Sequence, residues 1–172
     1  MTLRKILIHP DARLRKTCDP VADVSDQLRA LADDMLETMY EAPGIGLAAP
    51  QIGVLHRMFV MDCASRDEGQ EPTPMVLLNP EIIAASDETN VYEEGCLSIP
   101  EQYAEVTRPK AVTMRWLGLD GEEHQADFDG IWATCAQHEL DHLNGKLFID
   151  HLGAVKRTMI TNKMKKLKKA RA

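Results

Sequence analysis

The sequence predicts an α+β fold: antiparallel β-sheets around a central helix that carries His138-Glu139-x-x-His142, with an N-terminal helix and a C-terminal helix at the two ends. Three observations carry that expectation. The strand-forming segments fall mostly in one block between helices. One pair of them alternates polar and apolar residues about a tight turn. The helical segment around residue 138 is apolar on more than one side, which places it in the interior.

Each element has its own signal. Ser25 is suited to cap a helix running to about Glu41: Asp26 favours its first turn, Leu28, Leu31, Met35 and Met39 recur at helical spacing, and Pro43-Gly44 stops it. Residues 56–63 and 75–83 are rich in strand formers. From Ala111 to Phe128, Val112, Met114 and Trp116 alternate with Thr113 and Arg115, Asp120-Gly121 turns the chain, and His124, Ala126 and Phe128 resume the alternation; this is a β-hairpin pattern. A helix from about Gly130 to Asn144, ended by Gly145, has one stripe of Ile131, Thr134, Cys135, His138 and His142 and another of Trp132, Ala136, Leu140 and Leu143. A last helix spans roughly 152–169.

With 172 residues, 44% of them hydrophobic, and no low-complexity linker or repeat, the chain suits one domain: a body over 1–150 that carries the chemistry and a basic C-terminal helix over 151–172. The apolar runs fall far short of the roughly 20 residues that cross a bilayer. The N-terminus has neither a signal-peptide core nor transit-peptide character, so a cytoplasmic protein without a membrane partner is expected. In such a reducing compartment Cys18, Cys63, Cys96 and Cys135 are expected as thiols, and a cysteine near ligand-type residues is a catalytic or metal-binding candidate.

The net charge of −7 is unevenly spread. After Asp150 come Lys156, Arg157, Lys163, Lys165, Lys166, Lys168, Lys169 and Arg171 with no acidic residue, leaving an acidic body of about −15. A solvated helix face accounts for such a run; so does docking on an anionic surface with release of counterions. No base-reading motif or aromatic platform accompanies it, which excludes sequence-specific nucleic-acid recognition.

The chemistry centres on His138-Glu139-Leu140-Asp141-His142. On a helix, the two histidines lie about 40° apart and one turn along, so both imidazoles can reach one cation, and Glu139 lies about 60° from His142, placed to touch a water rather than to ligate. Such groups on an interior face are costly to desolvate without a partner such as a cation. A catalytic metal site needs a third protein ligand and an open fourth position. Downstream, the place of a third histidine in the metzincin pattern holds Phe148, no glutamate follows Glu139, and only Asp150 and His151 remain. The third ligand is therefore sought upstream. Cys96, in Glu94-Gly95-Cys96-Leu97-Ser98, is the best candidate; Cys135 sits one turn before His138, better placed to line a pocket than to converge on both rings. A Cys/His nucleophile pair is the competing arrangement, but it leaves the second histidine and Glu139 without a role. From the donors alone, zinc is the natural ion.

Three segments together resemble the signature motifs of the peptide deformylases: Gly44-Ile45-Gly46-Leu47-Ala48-Ala49-Pro50-Gln51, Glu94-Gly95-Cys96-Leu97-Ser98 and Gln137-His138-Glu139-Leu140-Asp141-His142, in the same order and over most of the chain. The resemblance implies a metal-dependent hydrolase that removes the formyl group from N-formylmethionine of nascent polypeptides. It implies Cys96, His138 and His142 as metal ligands, Glu139 as general base and then acid, and the Gln51 side chain and Leu97 N–H as donors to the developing oxyanion. It also implies Fe(II) as the native ion, with zinc, nickel or cobalt able to replace it. The substrate would run along Gly44, Gly46 and Gly95, with Ile45, Tyr92, Ile131, Thr134 and Cys135 around the methionine and Glu94 paired to Arg108. Tyr103 stands where many members have an arginine. Similar bacterial enzymes set a basic C-terminal helix on the ribosome near the exit tunnel. Two alternatives remain at this point: a zincin-type endopeptidase, which needs a downstream ligand, and a ribosome-associated module with a structural zinc, which needs a fourth protein ligand.

Overall fold

The structure is a computed structural model that describes residues 2–65 and 67–172. It is an α+β fold of three helices and two antiparallel sheets. Helix α1 (Asp26–Glu41) leads into the short strand β1 (Gly46–Ala48), followed by β2 (Met58–Met61), β3 (Met75–Ala85), β4 (Thr89–Cys96), β5 (Ile99–Pro109), β6 (Ala111–Leu117) and β7 (Glu123–Asp129). Helix α2 (Gly130–Leu143) and helix α3 (Ala154–Ala170) complete the chain.

Local chemistry sets the boundaries. Ser25 Oγ accepts the Leu28 amide proton across 3.1 Å, and Leu28, Leu31, Met35 and Met39 are buried along α1 as the periodicity requires. β6 and β7 pair from Ala111↔Asp129 to Leu117↔Glu123, and Trp116 stacks between His124 and Phe128 at ring separations of 5.8 and 5.9 Å. One sheet has the order β1-β2-β3-β6-β7; the other is the β4–β5 hairpin. The strand expected at 56–63 is shorter at both ends, and the one expected at 75–83 runs on to Ala85. The residue patterns of the sequence did not mark the β4–β5 hairpin.

α2 packs against strands of both sheets, which is why most of both stripes is covered, with Ile131 at its start left exposed. Ala133, Cys135, Ala136 and Leu143 join Phe59, Leu77, Met114 and Phe128 in one core cluster, and α1 packs a second against the neighbouring face with Leu47, Met58, Val60 and Leu78. A third cluster holds the C-terminal helix: Ile160 and Met164 of α3 pack with Leu7, Leu14, Ile99, Val106 and Phe148. Fully burying such side chains stabilises by about 1.5–3 kcal/mol each, so α3 is fixed to the body through one face while its lysines remain exposed. Among the described residues no helix is long and apolar enough to cross a membrane.

Candidate active site

α2 and the end of β4 create the site. The His138 and His142 rings project from one face of α2 with centroids 5.0 Å apart, and His138 also stacks on Phe148. Cys96 arrives from β4, where pairing shifts between Glu94 and Cys96, and its Sγ lies 3.4 Å from His142 Nε2. One ligand atom from each of Cys96, His138 and His142 lies within 4.8 Å of the others. Cys135 is outside that cluster; its thiol points at the Ile45 carbonyl, 3.6 Å away. Asp150 and His151 are engaged elsewhere, with Arg15 and Asp141 respectively. All four cysteines are free.

The residues present fit a divalent cation. His138 Nδ1 is bonded to Glu94 Oε1 at 2.9 Å, which leaves its Nε2 for a metal, and His142 likewise turns Nε2 toward the sulfur. Glu139 is buried, and its Oε1 has no hydrogen-bond partner among the described residues; a water on a cation is the natural occupant of that place. Burial pushes the Glu139 carboxyl up to about 7 and, together with the nearby His138, holds His142 well below the usual imidazole range. His138 goes the other way: burial disfavours its charge, but Glu139, Cys96 and Glu94 outweigh that.

Glu94 anchors a line of alternating charge. Arg108 donates through Nε and Nη2 to both Glu94 oxygens, at 2.7 and 2.9 Å, and through Nη1 to Asp141 at 2.9 Å. Burial opposes the Glu94 charge, yet the hydrogen bonds from His138 and Arg108 bring its carboxyl down to about 2, so it accepts and His138 donates. His151 continues the line by contacting Asp141 at 2.9 Å. In the sequence, Phe148 and His151 figured only in the search for a downstream third ligand and Asp141 only as a spacer in the motif; the ring stacking and the hydrogen bonds to Asp141 carry no local sequence signal.

Gln51 stands on the opposite wall. Its Oε1 accepts the Ala48 N–H at 2.9 Å, which turns Nε2 inward to donate to Ser98 Oγ at 3.1 Å and toward Cys96 Sγ at 3.5 Å. Gly46 is required by close approach: a Cβ there would lie 2.4 Å from Glu139 Oε2 and 2.8 Å from Cys135 Sγ.

These groups face a cavity of about 570 Å³, a size that takes a small ligand or a short peptide. Gly44, Ile45 and Gly46 line it, as do Tyr92, Glu94, Gly95 and Leu97. Ile131, Thr134 and Cys135 of α2 line it together with His138. Tyr103 is 66% exposed with its ring edge against Gly95. His142 is only 1% exposed and does not line the cavity. Ile6, Ile8, Glu101 and Arg171 do line it; the sequence marked Arg171 only as part of the basic run and the other three not at all.

Residues 3–158 match the family model described as polypeptide deformylase. A peptide deformylase of Rhodopseudomonas palustris (strain TIE-1) is 55% identical over 98% of this chain and 97% of its own length. The crystal structure of a peptide deformylase from Ehrlichia chaffeensis superposes with a TM-score of 0.93 at 35% identity, covering 98% of both chains. Another from that organism, in complex with actinonin, gives a TM-score of 0.91 at 39% identity over 96% of this chain and 98% of its own.

Proposed function

The chain belongs to the polypeptide deformylase family, and from that premise we propose how its residues remove the formyl group from the N-terminal methionine of nascent polypeptides and release formate. The observation that carries the reading is the convergence of Cys96, His138 and His142 beside the unpartnered carboxylate oxygen of Glu139. Cys96, His138 and His142 would hold a divalent metal, which when bound would supply Lewis acidity to a water and to the formyl oxygen. We take Fe(II) as the native ion, in keeping with the family, and zinc, nickel or cobalt as ions the same donors accept.

The chain's own groups then have distinct tasks. The peptide lies extended between Gly44–Gly46 and the β4 edge at Tyr92 and Gly95, with the methionine side chain against Ile45, Ile131, Thr134 and Cys135. The Gln51 side-chain amide, held in orientation by Ala48, and the Leu97 backbone N–H donate to the oxygen on which charge develops; losing one such donor costs about 2.7–4 kcal/mol. Glu139 takes the proton of the attacking water and passes it to the leaving amine nitrogen. A carboxyl raised by burial toward neutrality is matched to both transfers.

Residues 1–150 serve in this reading as the catalytic body and 151–172 as a docking element: the exposed lysines of α3 meet the ribosome near the exit tunnel through backbone phosphates, in the cytoplasm. High salt is expected to release the chain from ribosomes, and truncation after His151 to abolish binding.

Formate release from formyl-Met-Ala-Ser tests the reaction. The metal-loaded protein is expected to release one formate per peptide and to leave the peptide bonds intact. Internal cleavage with no formate would support the endopeptidase alternative, and no turnover with tight zinc retention would support the structural-zinc alternative.

A further inference from the structure

The cavity extends beyond the reacting groups. Its outer part is walled by Ile6 and Ile8 from the N-terminal segment, Glu101 and Tyr103 of β5, and Arg171, which follows the last turn of α3. Arg171 is exposed and forms no ion pair among the described residues, and the same holds for Glu101. Arg171 reaches this wall because α3 is fixed to the body: Ile160 and Met164 are buried, and Thr161 Oγ1 lies 3.0 Å from His9 Nε2. The last basic side chain of the chain, just past the helix, therefore lines the same cavity as Glu139 and His138.

We propose that Arg171 is a specificity-determining residue for the substrate beyond its methionine, favouring an acidic side chain at the third or fourth position of the formylated peptide. The inference rests on the deformylase reading, which sets the formyl end beside Glu139 and so sends the following residues outward. An extended chain advances roughly 3.3 Å per residue, so the residues after the methionine are the ones that pass Ile6, Ile8 and the guanidinium. Arginine presents several donors in a planar fork that suits a carboxylate, and the two isoleucines lower the local dielectric around the contact. Glu101 on the same wall acts in the opposite sense. The acidic body also disfavours acidic peptides in general, so the effect of Arg171 is read as a change between variants rather than as an absolute preference.

The test compares kcat/KM for two C-terminally amidated peptides, formyl-Met-Ala-Glu-Ser and formyl-Met-Ala-Lys-Ser, at low and high salt. Arg171→Ala is expected to lower the acidic-to-basic ratio by about two- to fivefold, the range of a partly exposed ion pair. Arg171→Glu is expected to lower it further, Arg171→Lys to hold it within about twofold, and Glu101→Gln to raise it; about 1 M salt should shrink all of these differences. If both peptides release formate and the ratio does not move in Arg171→Glu, the inference is overturned while the deformylase reading stands. If neither peptide releases formate from the wild-type enzyme, both fall together.

Discussion

His138 Nδ1 donates to Glu94 Oε1 across 2.9 Å, and the same carboxylate is gripped from the other side by Arg108. That relationship fixes the tautomer of one imidazole and aims its Nε2 at the place where Cys96 and His142 converge. Glu94→Gln is expected to weaken metal affinity by about 10–100-fold, measured by competition with a chelator. Glu94→Ala should also lower stability by about 3–5 kcal/mol in urea unfolding, because it strands the buried Arg108 with Asp141 alone. Retained affinity in both variants would remove Glu94 from the account.

In the proposed mechanism Glu139 acts on the reacting water, and it lies outside the Cys96, His138 and His142 cluster. Glu139→Ala should therefore keep the metal content of the wild type and lose about 10²–10⁴-fold in kcat, the usual contribution of a positioned proton-transfer group. Metal analysis alongside formate release separates this result from collapse of the site.

Gly46 supplies a subtler check. An alanine methyl would meet Glu139 Oε2 at 2.4 Å and Cys135 Sγ at 2.8 Å, while the strand pairing of Gly46 with Met61 needs no glycine. Gly46→Ala is expected to fold and bind metal but to lose at least about tenfold in kcat/KM as the carboxylate is pushed aside, since misplacing a reacting group by about 1 Å can cost 10²-fold. Wild-type kinetics in this variant would mean that Glu139 has more freedom than the close packing implies.

His9 governs a pH-dependent part of stability. Burial, reinforced by Arg15, Lys165 and Lys168, lowers its pKa from 6.5 to about 4 against the opposing pull of Asp150. The unfolded chain therefore binds the proton first as the pH falls. Stability from this residue is intact above about pH 6.5 and declines from there toward pH 4, where the folded form protonates too. The urea midpoint should drop less between pH 7 and pH 5 in His9→Gln than in the wild type. Because His9 contacts Thr161, loosening at low pH should begin with α3, visible as early amide exchange in that helix.

How much of this was legible in the sequence depended on whether a local pattern reported it. α1, the β6–β7 hairpin and α2 announced themselves through capping, alternation and helical spacing, and each forms where those signals lie. The β4–β5 hairpin did not, because Glu93-Glu94-Gly95 is a poor strand sequence. Those residues are there for the site: Glu94 holds His138 and Arg108, and the absence of a side chain at Gly95 makes room for the Tyr103 ring. The two histidines could be paired from helix geometry alone. Cys96 could only be nominated, since no spacing rule links the end of a strand to a helix some 40 residues later. Arg171 stood in the sequence only as the end of the basic run; its place on the cavity wall is a consequence of how Ile160 and Met164 seat α3.

One sulfur from β4 and two imidazole nitrogens from α2 are expected to hold a single divalent ion. X-ray absorption at the metal edge of the loaded enzyme tests it most directly, read for the wild type and for Cys96→Ala at matched metal content. The zinc form is expected to show one sulfur neighbour at about 2.3 Å and two nitrogen neighbours at about 2.0–2.1 Å, with at least one further light-atom neighbour that small ligands displace. The sulfur signal should vanish in Cys96→Ala. A spectrum with no sulfur in the wild type, or a sulfur that survives the substitution, would contradict it.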